Sequence, residues 1–402
     1  MNTTITPTAV ASHPLFMLGS VDDLRRKLTH PDAPLGPWWR HLCALAKHES
    51  PVARSRHGVA GPDAFAPYAV LAGVVTGEAV YLDRVRDAFL AIVASHRAIE
   101  TGSVAQFHTH ITAAVLARWA VYYDWVADLG LFSDGEKQGI AHTLTDLAYV
   151  FPMQQLEARA KGFDNQVLNN ALGAGAVGYV FGVRRADESG GGALARRMLD
   201  LGLGWLRDLF NDLPRGGYGC EGSTYQQVVI QSVIAWSTLL IEAITGEDAF
   251  DRRPTPDAAT PRDILEMSLK MIGPDGLLPA WDDYGYQPAV VKAPLALLAR
   301  RTGTAAPLAV IHDADMWYRP VQAAWMLDDR LWTLVWWPDD VGDLPNATYR
   351  SWMSESVGGA LQGGPARLRL FQYWDTCGAI AQAGRPHVDP NNITLQAFDS
   401  PI

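Results

Sequence analysis

Apolar residues recur at three- and four-residue spacing through most of the chain between residues 20 and 305, and this pattern constrains the fold most. Short breakers such as Thr76-Gly77 and Gly130 interrupt the pattern. Because short loops join successive helices, the pattern predicts antiparallel helical hairpins packed in series. The predicted helices cover residues 36–47, 65–76, 79–97, 107–128, 135–158, 166–183, 191–211, 223–245, 261–271 and 288–302.

The sequence changes after about residue 306, where short apolar or alternating runs are bounded by glycine, proline, aspartate and asparagine. Such runs are typical of β-strands, and they read RLWTLVWWPDD, SVGGALQGG, RLRLFQYWDT and NNITLQAF. We therefore predict a mainly α-helical domain over residues 1–305, followed by an antiparallel β domain over residues 306–402. So few strands leave open sheet edges, so we expect the β domain to be incomplete.

Composition and charge exclude several classes of protein. A formal net charge of −10 argues against nucleic-acid binding. The longest apolar runs contain polar residues, so no membrane-spanning helix is predicted. No signal peptide is visible, so we expect a cytoplasmic protein if the start is native, and a periplasmic or secreted one otherwise. The three cysteines, Cys43, Cys220 and Cys377, lie far apart, which argues against a disulfide framework or a cysteine zinc site.

The stretch GGYGCEGSTYQQ, residues 216–227, interrupts two apolar helical runs with glycines. Ser223 and Gln226 have the spacing of a capping box, which places Tyr225 in the first turn of a new helix. There the helix dipole favours a negative charge such as a phenolate, by about 0.3–1 kcal/mol. Tyr225 is therefore either a catalytic side chain or a tyrosine that packs its ring and donates a hydrogen bond outward.

Three asparagines lie within one predicted helix, in the stretch DNQVLNNALGAGAVG. Asn165 and Asn169 share a face because they are four residues apart, and Asn170 flanks them. Carboxamides are poor residues for a helix interior unless something uses their hydrogen bonds. These amides therefore bind either a ligand or a neighbouring loop. His110, near the start of the preceding helix, is a candidate to line a cavity, whereas His108 is better explained as a polar residue at a helix end.

Two further groups, in GRPHVDPNN and DGLLPAWDDYGYQP, combine charged and polar side chains. On an extended segment Arg385, His387 and Asp389 point to one side, where they would bind a carboxylate, supply two metal ligands or form a surface salt bridge. Asp283 and Tyr284 combine acidic and aromatic groups as sugar sites do, although Asp283 or its neighbour Asp282 would equally cap the next helix.

The order of these motifs resembles that of the heparinase II/III-like polysaccharide lyases. The resemblance begins at HPLFMLGSVDDLRRKL and continues through YAVLAGVVTGEAVYLDRVRDAFLAI and ITAAVLARWAVYYDWV. It then extends over the asparagine stretch, GGYGCEGSTYQ, DGLLPAWDD and GRPHVDPNNITLQAF, and so covers nearly the whole chain. This resemblance implies an incomplete (α/α) toroid followed by a β-sandwich.

The resemblance also implies cleavage of a uronic-acid polysaccharide, such as a glycosaminoglycan or alginate, by β-elimination. Tyr225 corresponds to the family's catalytic tyrosine, and Asn169 or Asn170 would neutralise the uronate carboxylate. The further candidates are Arg385 and His387 as catalytic residues, and His110, Asn165, Glu221, Asp283 and Tyr284 as substrate-binding residues. No cofactor is required, and any structural divalent metal would have His387 and Asp389 as its weak candidate ligands.

The chain departs from the family pattern at two positions. Many relatives carry an Asn-His pair where this chain has Asn169-Asn170, and a histidine where it has Arg385. Three other functions stay open: uronyl C5 epimerisation, glycoside hydrolysis by Glu221 with Asp282 or Asp283, and sugar binding without catalysis. The expected partner in each case is a saccharide, an anionic one for the lyase and the epimerase, and the oligomeric state is left open.

Overall fold

The protein is mainly helical in a computed structural model of the chain. Helices account for 74% of the residues that the structure describes, which confirms the predicted class. In that part of the chain, every helix is too short or too polar to cross a membrane. The described residues are 19–30, 33–48, 65–100, 109–158, 165–188, 192–213, 215–217, 232–256, 258–273, 291–313, 317, 328–341, 344–347, 351–354, 358–363, 368–373, 393–397 and 400–401.

The first four helices show how local sequence signals set the helix ends. Helix α1 begins where the Ser20 hydroxyl accepts a hydrogen bond from the Asp23 N–H, and α2 and α3 each begin with a proline in the first turn. Helix α3 ends at Gly77, whose φ of 73° is left-handed, and α4 packs back against it. The bounds are α1 Val21–Thr29, α2 Gly36–Ala46, α3 Ala66–Thr76 and α4 Ala79–Glu100.

Two of the next helices continue into π-helical turns. Helix α6 begins with a capping box between Ser133 and Glu136, then passes through a π turn at Tyr149–Met153 that contains Pro152. Helix α8 ends similarly in a π turn, Val180–Arg184. The bounds are α5 Thr109–Val126, α6 Asp134–Ala148, α7 Gln154–Ala158, α8 Asn165–Tyr179, α9 Ala193–Asn211 and α10 Ser232–Thr245, with a 3-10 turn at Arg215–Gly217.

Alternate helices of this series run parallel to one another. Two side-chain contacts join α4 to α6: the ion pair of Arg86 with Glu136, and His96 with Asp146 at 4.0 Å. The contact residues follow in the same order along both helices, so α4 and α6 are parallel. Between them, α5 packs its aromatic side chains on α4, where the Phe89 ring lies 5.0 Å from that of Trp119. Helices α4, α5 and α6 therefore pack as successive hairpins.

The remaining helices are shorter. A capping box between Thr260 and Asp263 starts α11, whose first turn lies close to Gly217, a glycine with a φ of 79°. The buried Asp329 carboxylate accepts hydrogen bonds from the backbone N–H groups of Lys292 and Ala293, and lies 2.6 Å from the Lys292 ammonium. Asp329 thereby joins the start of α14 to the start of α12. The bounds are α11 Pro261–Met271, α12 Ala293–Thr302, α13 Ala306–Asp313 and α14 Asp329–Trp336.

The described strands form one antiparallel sheet, in the order β1-β2-β3-β4-β5. Trp352 pairs with Ala360, and Ala360 with Phe371, so one face of the sheet carries the buried Ala360. The other face carries Met353 and Leu361, which are 80% and 65% exposed. The bounds are β1 Trp352–Ser354, β2 Gly358–Gly363, β3 Leu368–Tyr373, β4 Ile393–Ala397 and β5 Ser400–Pro401.

One predicted strand is wrong. The run RLWTLVWWPDD, residues 330–340, lies mostly in helix α14 rather than in a strand. All residues from Leu331 to Trp336 are buried, so the run lacks the polar face that reveals a helical period. The predicted strands at SVGGALQGG, RLRLFQYWDT and NNITLQAF are confirmed as β2, β3 and β4.

The chain divides into two compact units. The first comprises residues 1–160, 166–207 and 236–249, and the second comprises residues 161–165, 208–235 and 250–402. Helices α13 and α14 follow residue 305, so helical structure continues past the predicted change of character. The domain boundary between residues 305 and 306 stays a prediction.

Candidate functional site

Helix α8 contacts three neighbours in the first unit through its glycines. A Cβ added to Gly173 would lie 2.8 Å from the Ala113 Cβ of α5, and one added to Gly175 would lie 3.1 Å from the Leu240 side chain of α10. One added to Gly178 would lie 2.6 Å from the Ala195 carbonyl oxygen of α9. Side chains at these positions would separate the helices, so the glycines allow the close approach.

The helices α5, α8 and α10 run in the same direction. Ala113 lies opposite Gly173 and Asp124 binds Arg184, so α5 and α8 advance together. Leu240 lies opposite Gly175, and the Tyr179 hydroxyl donates to the Ala243 carbonyl at 3.4 Å, so α10 advances with them. Helix α8 therefore has a parallel helix on each side, and α9 packs against it in the opposite direction.

The two asparagines point in different directions from α8. A helix turns by about 100° per residue, so Asn169 lies about 180° from Gly178, the residue that faces α9. Asn169 thus points away from α9, between the directions of α5 and α10. Asn170 is about 100° further round, between α5 and α9. Both side chains are buried, at 4% and 1% exposed.

Asn170 has an unsatisfied oxygen. Its Oδ1 is buried and accepts no hydrogen bond, and nothing in the described ranges supplies a donor. Such an orphaned acceptor costs about 1–3 kcal/mol. This oxygen would suit a hydrogen-bond donor but repels an anion, so it is not the group that would face a carboxylate.

His110 lies in the first turn of α5, as predicted, and Asn165 is the first residue of α8. Ala113 of α5 lies opposite Gly173 of α8, and the two helices are parallel. His110 and Asn170 each lie three residues earlier, so the backbones of His110 and Asn170 are at the same level. The side chains of His110 and Asn165 are outside the described part of the structure.

Sequence reasoning missed one charged side chain, Arg118. It is half-buried on α5, and its guanidinium carbon lies 5.7 Å from the centroid of the Trp236 ring on α10. Such a distance is typical of a cation–π contact. The contact of Arg118 with Trp236 therefore joins α5 to α10.

Basic residues are rare on the three parallel helices. Arg118 is the single lysine or arginine in the sequences of α5, α8 and α10. The sequence alone shows that these helices contain one basic residue, but it does not show which helices contact one another.

The C-terminal ends of α5 and α8 are joined by a buried ion-pair cluster. The Asp124 carboxylate is 2.8 Å from Arg184 and 3.3 Å from Arg185, and Arg185 also binds Asp128 at 2.7 Å. Burial, and next a 2.5 Å hydrogen bond to Glu188, raise the pKa of the Tyr123 hydroxyl well above its usual range. Tyr123 is therefore a hydrogen-bond donor here and not an acid that ionises near neutral pH.

The remaining candidate residues lie outside the described residues, and their roles stay predictions. They are Glu221, Tyr225, Asp282, Asp283, Tyr284, Arg385, His387 and Asp389, together with His108. Ser223, the predicted helix cap, is also among them, and the described part of α10 begins at Ser232. Within the described residues, no cluster of histidine, cysteine, aspartate and glutamate has the makings of a metal site.

Comparison with known proteins adds no relative. No protein-family model matches the chain, and no curated protein matches it. The resemblance to the lyases therefore rests on the order of the sequence motifs.

Proposed function

We propose that the protein is a polysaccharide lyase that cleaves a uronic-acid polysaccharide, a glycosaminoglycan or alginate, by β-elimination. The observation that carries the proposal is the position of Asn169, a buried carboxamide turned away from α9 on the central one of three parallel helices. A carboxamide N–H group donates hydrogen bonds, and a uronate carboxylate accepts them.

The chemistry requires three groups. The C5 proton passes to a base, a double bond forms between C4 and C5, and the bond between C4 and the leaving oxygen breaks as that oxygen takes a proton. Tyr225 is proposed as the acid and, for some uronate configurations, also as the base. The Asn169 amide would donate hydrogen bonds to the carboxylate and so stabilise the enolate-like charge next to C5. Asn169 suits this role better than Asn170, whose vacant group is an acceptor.

The finer architecture belongs to the same proposal: an incomplete (α/α) toroid followed by a β-sandwich. The parallel run of alternate helices supports a toroid, because hairpins packed in a closed series give one inner and one outer set of parallel helices. The exposed Met353 and Leu361 support a sandwich, because a second sheet would cover that apolar face.

The test is the ultraviolet absorbance of the unsaturated product, recorded with heparan sulfate, chondroitin, dermatan, hyaluronan and alginate. We expect a rise on at least one substrate with the wild type. The rise should be lost in Tyr225→Phe and should fall about a hundredfold or more in Asn169→Ala, since one charge-stabilising donor contributes about that much. Asn170→Ala should lose less than Asn169→Ala.

The matched control is Tyr149→Phe, which removes a hydroxyl from a half-buried tyrosine of the π turn and should keep full activity. New reducing ends without absorbance would refute elimination and favour a hydrolase that uses Glu221 with Asp282 or Asp283. Exchange of the C5 proton with solvent, without cleavage, would favour the epimerase. Binding without any product would leave a sugar-binding protein.

A further inference from the structure

The five-stranded sheet leaves one apolar face exposed to solvent. Of the large apolar side chains in the described ranges, Met353 and Leu361 are the most exposed, at 80% and 65%. The opposite face carries Ala360, which is 2% exposed, so the chain itself covers that side. The face with Met353 and Leu361, here called the open face, is therefore accessible to a partner.

The strand register extends the open face across the sheet. Directly paired residues lie on the same face of a sheet. Leu361 pairs with Leu370, and Leu370 pairs with Leu395, so a row of three leucines crosses β2, β3 and β4. Ile393 is two residues before Leu395 and lies on the same face. None of the residues that the described strands place on the open face is charged.

The two edges of the sheet are poorly suited to pairing with another strand. Strand β1 has three residues and β5 has two. Pro401 of β5 has no backbone N–H group to donate. Short edge strands and prolines block edge-to-edge association. A partner would therefore contact the open face rather than extend the sheet.

A second copy of the chain has the surface that such a face needs. Antiparallel sheets pack face to face about 10 Å apart, with apolar side chains from both sheets between them. A twofold axis brings the same face of two copies together, so the apolar open face meets its own counterpart. The net charge of −10 makes two copies repel one another, and a contact at an uncharged face adds no like-charge pair to that repulsion.

The size of the open face sets the strength of the association. Five strands about 4.8 Å apart and up to six residues long give a face of roughly 20 Å by 20 Å. Two such faces bury on the order of 800 Å² or more, which is less than the roughly 1,600 Å² of a standard stable interface. The area therefore favours a reversible dimer over a permanent one.

We propose that two copies of the chain associate reversibly through the open faces of their sheets, so that each copy supplies the second sheet of a β-sandwich to the other. This association requires neither a saccharide nor turnover. A chain that stays monomeric could still be a lyase, because the absorbance of the unsaturated product is measured separately.

Sedimentation velocity over a range of protein concentrations measures the association. We expect the wild type to pass from monomer to dimer between about 1 and 100 μM, as a small interface does. Leu361→Lys should weaken dimerisation about tenfold or more, because it places two ammonium groups, one from each copy, in the apolar contact. Leu129→Lys is the matched control, because it makes the same change at a side chain of the first unit that is 46% exposed, and it should leave dimerisation unchanged.

Met353→Lys is a second variant in case Leu361→Lys does not fold. Met353 is 80% exposed, so its replacement removes little packing within one copy, and the urea midpoint should match that of the wild type. Dimerisation should again weaken about tenfold or more.

Three results would overturn the proposal. The first is a wild type that stays monomeric across the concentration range, and the second is a folded variant, Leu361→Lys or Met353→Lys, that dimerises as tightly as the wild type. The third is equal weakening by Leu129→Lys or growth beyond the dimer into larger assemblies, because the contact would then be nonspecific or would lie at a strand edge.

Discussion

The close contact between α8 and α9 predicts opposite effects for two glycines of the same helix. Gly202 is buried, and a Cβ there would lie 2.7 Å from both the Ala171 carbonyl oxygen and the Gly175 Cα. Gly204, two residues further along α9, is exposed, and nothing lies within 4 Å of its added Cβ. We therefore expect Gly202→Ala to destabilise the protein and Gly204→Ala to stabilise it.

The magnitude follows from two contributions. Alanine is favoured over glycine in a helix interior by about 0.8–1 kcal/mol, and this gain applies to both variants. At Gly202 the methyl group meets backbone atoms of α8, which cannot rotate away, and such overpacking costs about 1–3 kcal/mol. Because the helix gain cancels in the comparison, the free energies of unfolding of the two variants should differ by about that cost.

Urea unfolding followed by circular dichroism measures this difference. Gly204→Ala should move the midpoint to higher urea and Gly202→Ala should move it below that of Gly204→Ala, with the same dependence on urea in both. If the two variants unfold at the same urea concentration, α8 and α9 are not in contact at Gly202. The antiparallel packing of α9 on α8 would then lose its support.

Two further predictions concern buried ionisable groups. Asp124→Asn should cost about 3–5 kcal/mol of unfolding free energy, because it leaves Arg184 and Arg185 without their buried carboxylate. Asp128→Asn, at a carboxylate that is 57% exposed, should cost about 1 kcal/mol or less, and equal losses would contradict the assignment. Burial raises the pKa of the Cys43 thiol to about 11, so its thiolate fraction at pH 8 is about one in a thousand. The double variant Cys220→Ser, Cys377→Ser keeps Cys43 as its one cysteine. Iodoacetamide should react slowly with Cys43 at pH 8, and the rate should rise about tenfold per pH unit up to pH 10. A rate that stops rising near pH 9 would contradict burial of the thiol.

The helices were predictable where capping signals and an apolar period coincide. Helix α11 has the predicted bounds 261–271, because Thr260 caps it, Pro261 begins it and Asp263 completes the capping box. The π turns were not predictable, since residues 135–158 and 166–183 continue the apolar spacing through them. A period of three and four residues does not distinguish a π turn from an α-helix.

Helix α14 shows where periodicity fails. Its buried residues from Leu331 to Trp336 are apolar except for Thr333, and a run of that length fits a central strand as well as a buried helix. The adjacent acids Asp328 and Asp329 could have indicated the start of a helix, because carboxylates favour the N-terminus of a helix. The tertiary role of Asp329, which binds Lys292 in a distant part of the chain, has no local signature.

The candidate site was predicted only in part, for a related reason. Carboxamides within an apolar helix indicated Asn169 and Asn170, but their spacing alone left both as candidates. The neighbours of α8 separate them, because Gly173, Gly175 and Gly178 show which sides of the helix are occupied. The contact of Arg118 with Trp236 could not be predicted, because it depends on the proximity of α5 and α10, which lie far apart in sequence.

These contacts lead to one physical interpretation of the first unit. Glycines bring α8 close to α5, α9 and α10. The Arg118 guanidinium on the Trp236 ring joins α5 to α10, and Asn169 is buried on the side of α8 that points away from α9. The proposed function assigns the Asn169 amide, a hydrogen-bond donor, to a carboxylate acceptor, and the Asn169→Ala variant tests that assignment.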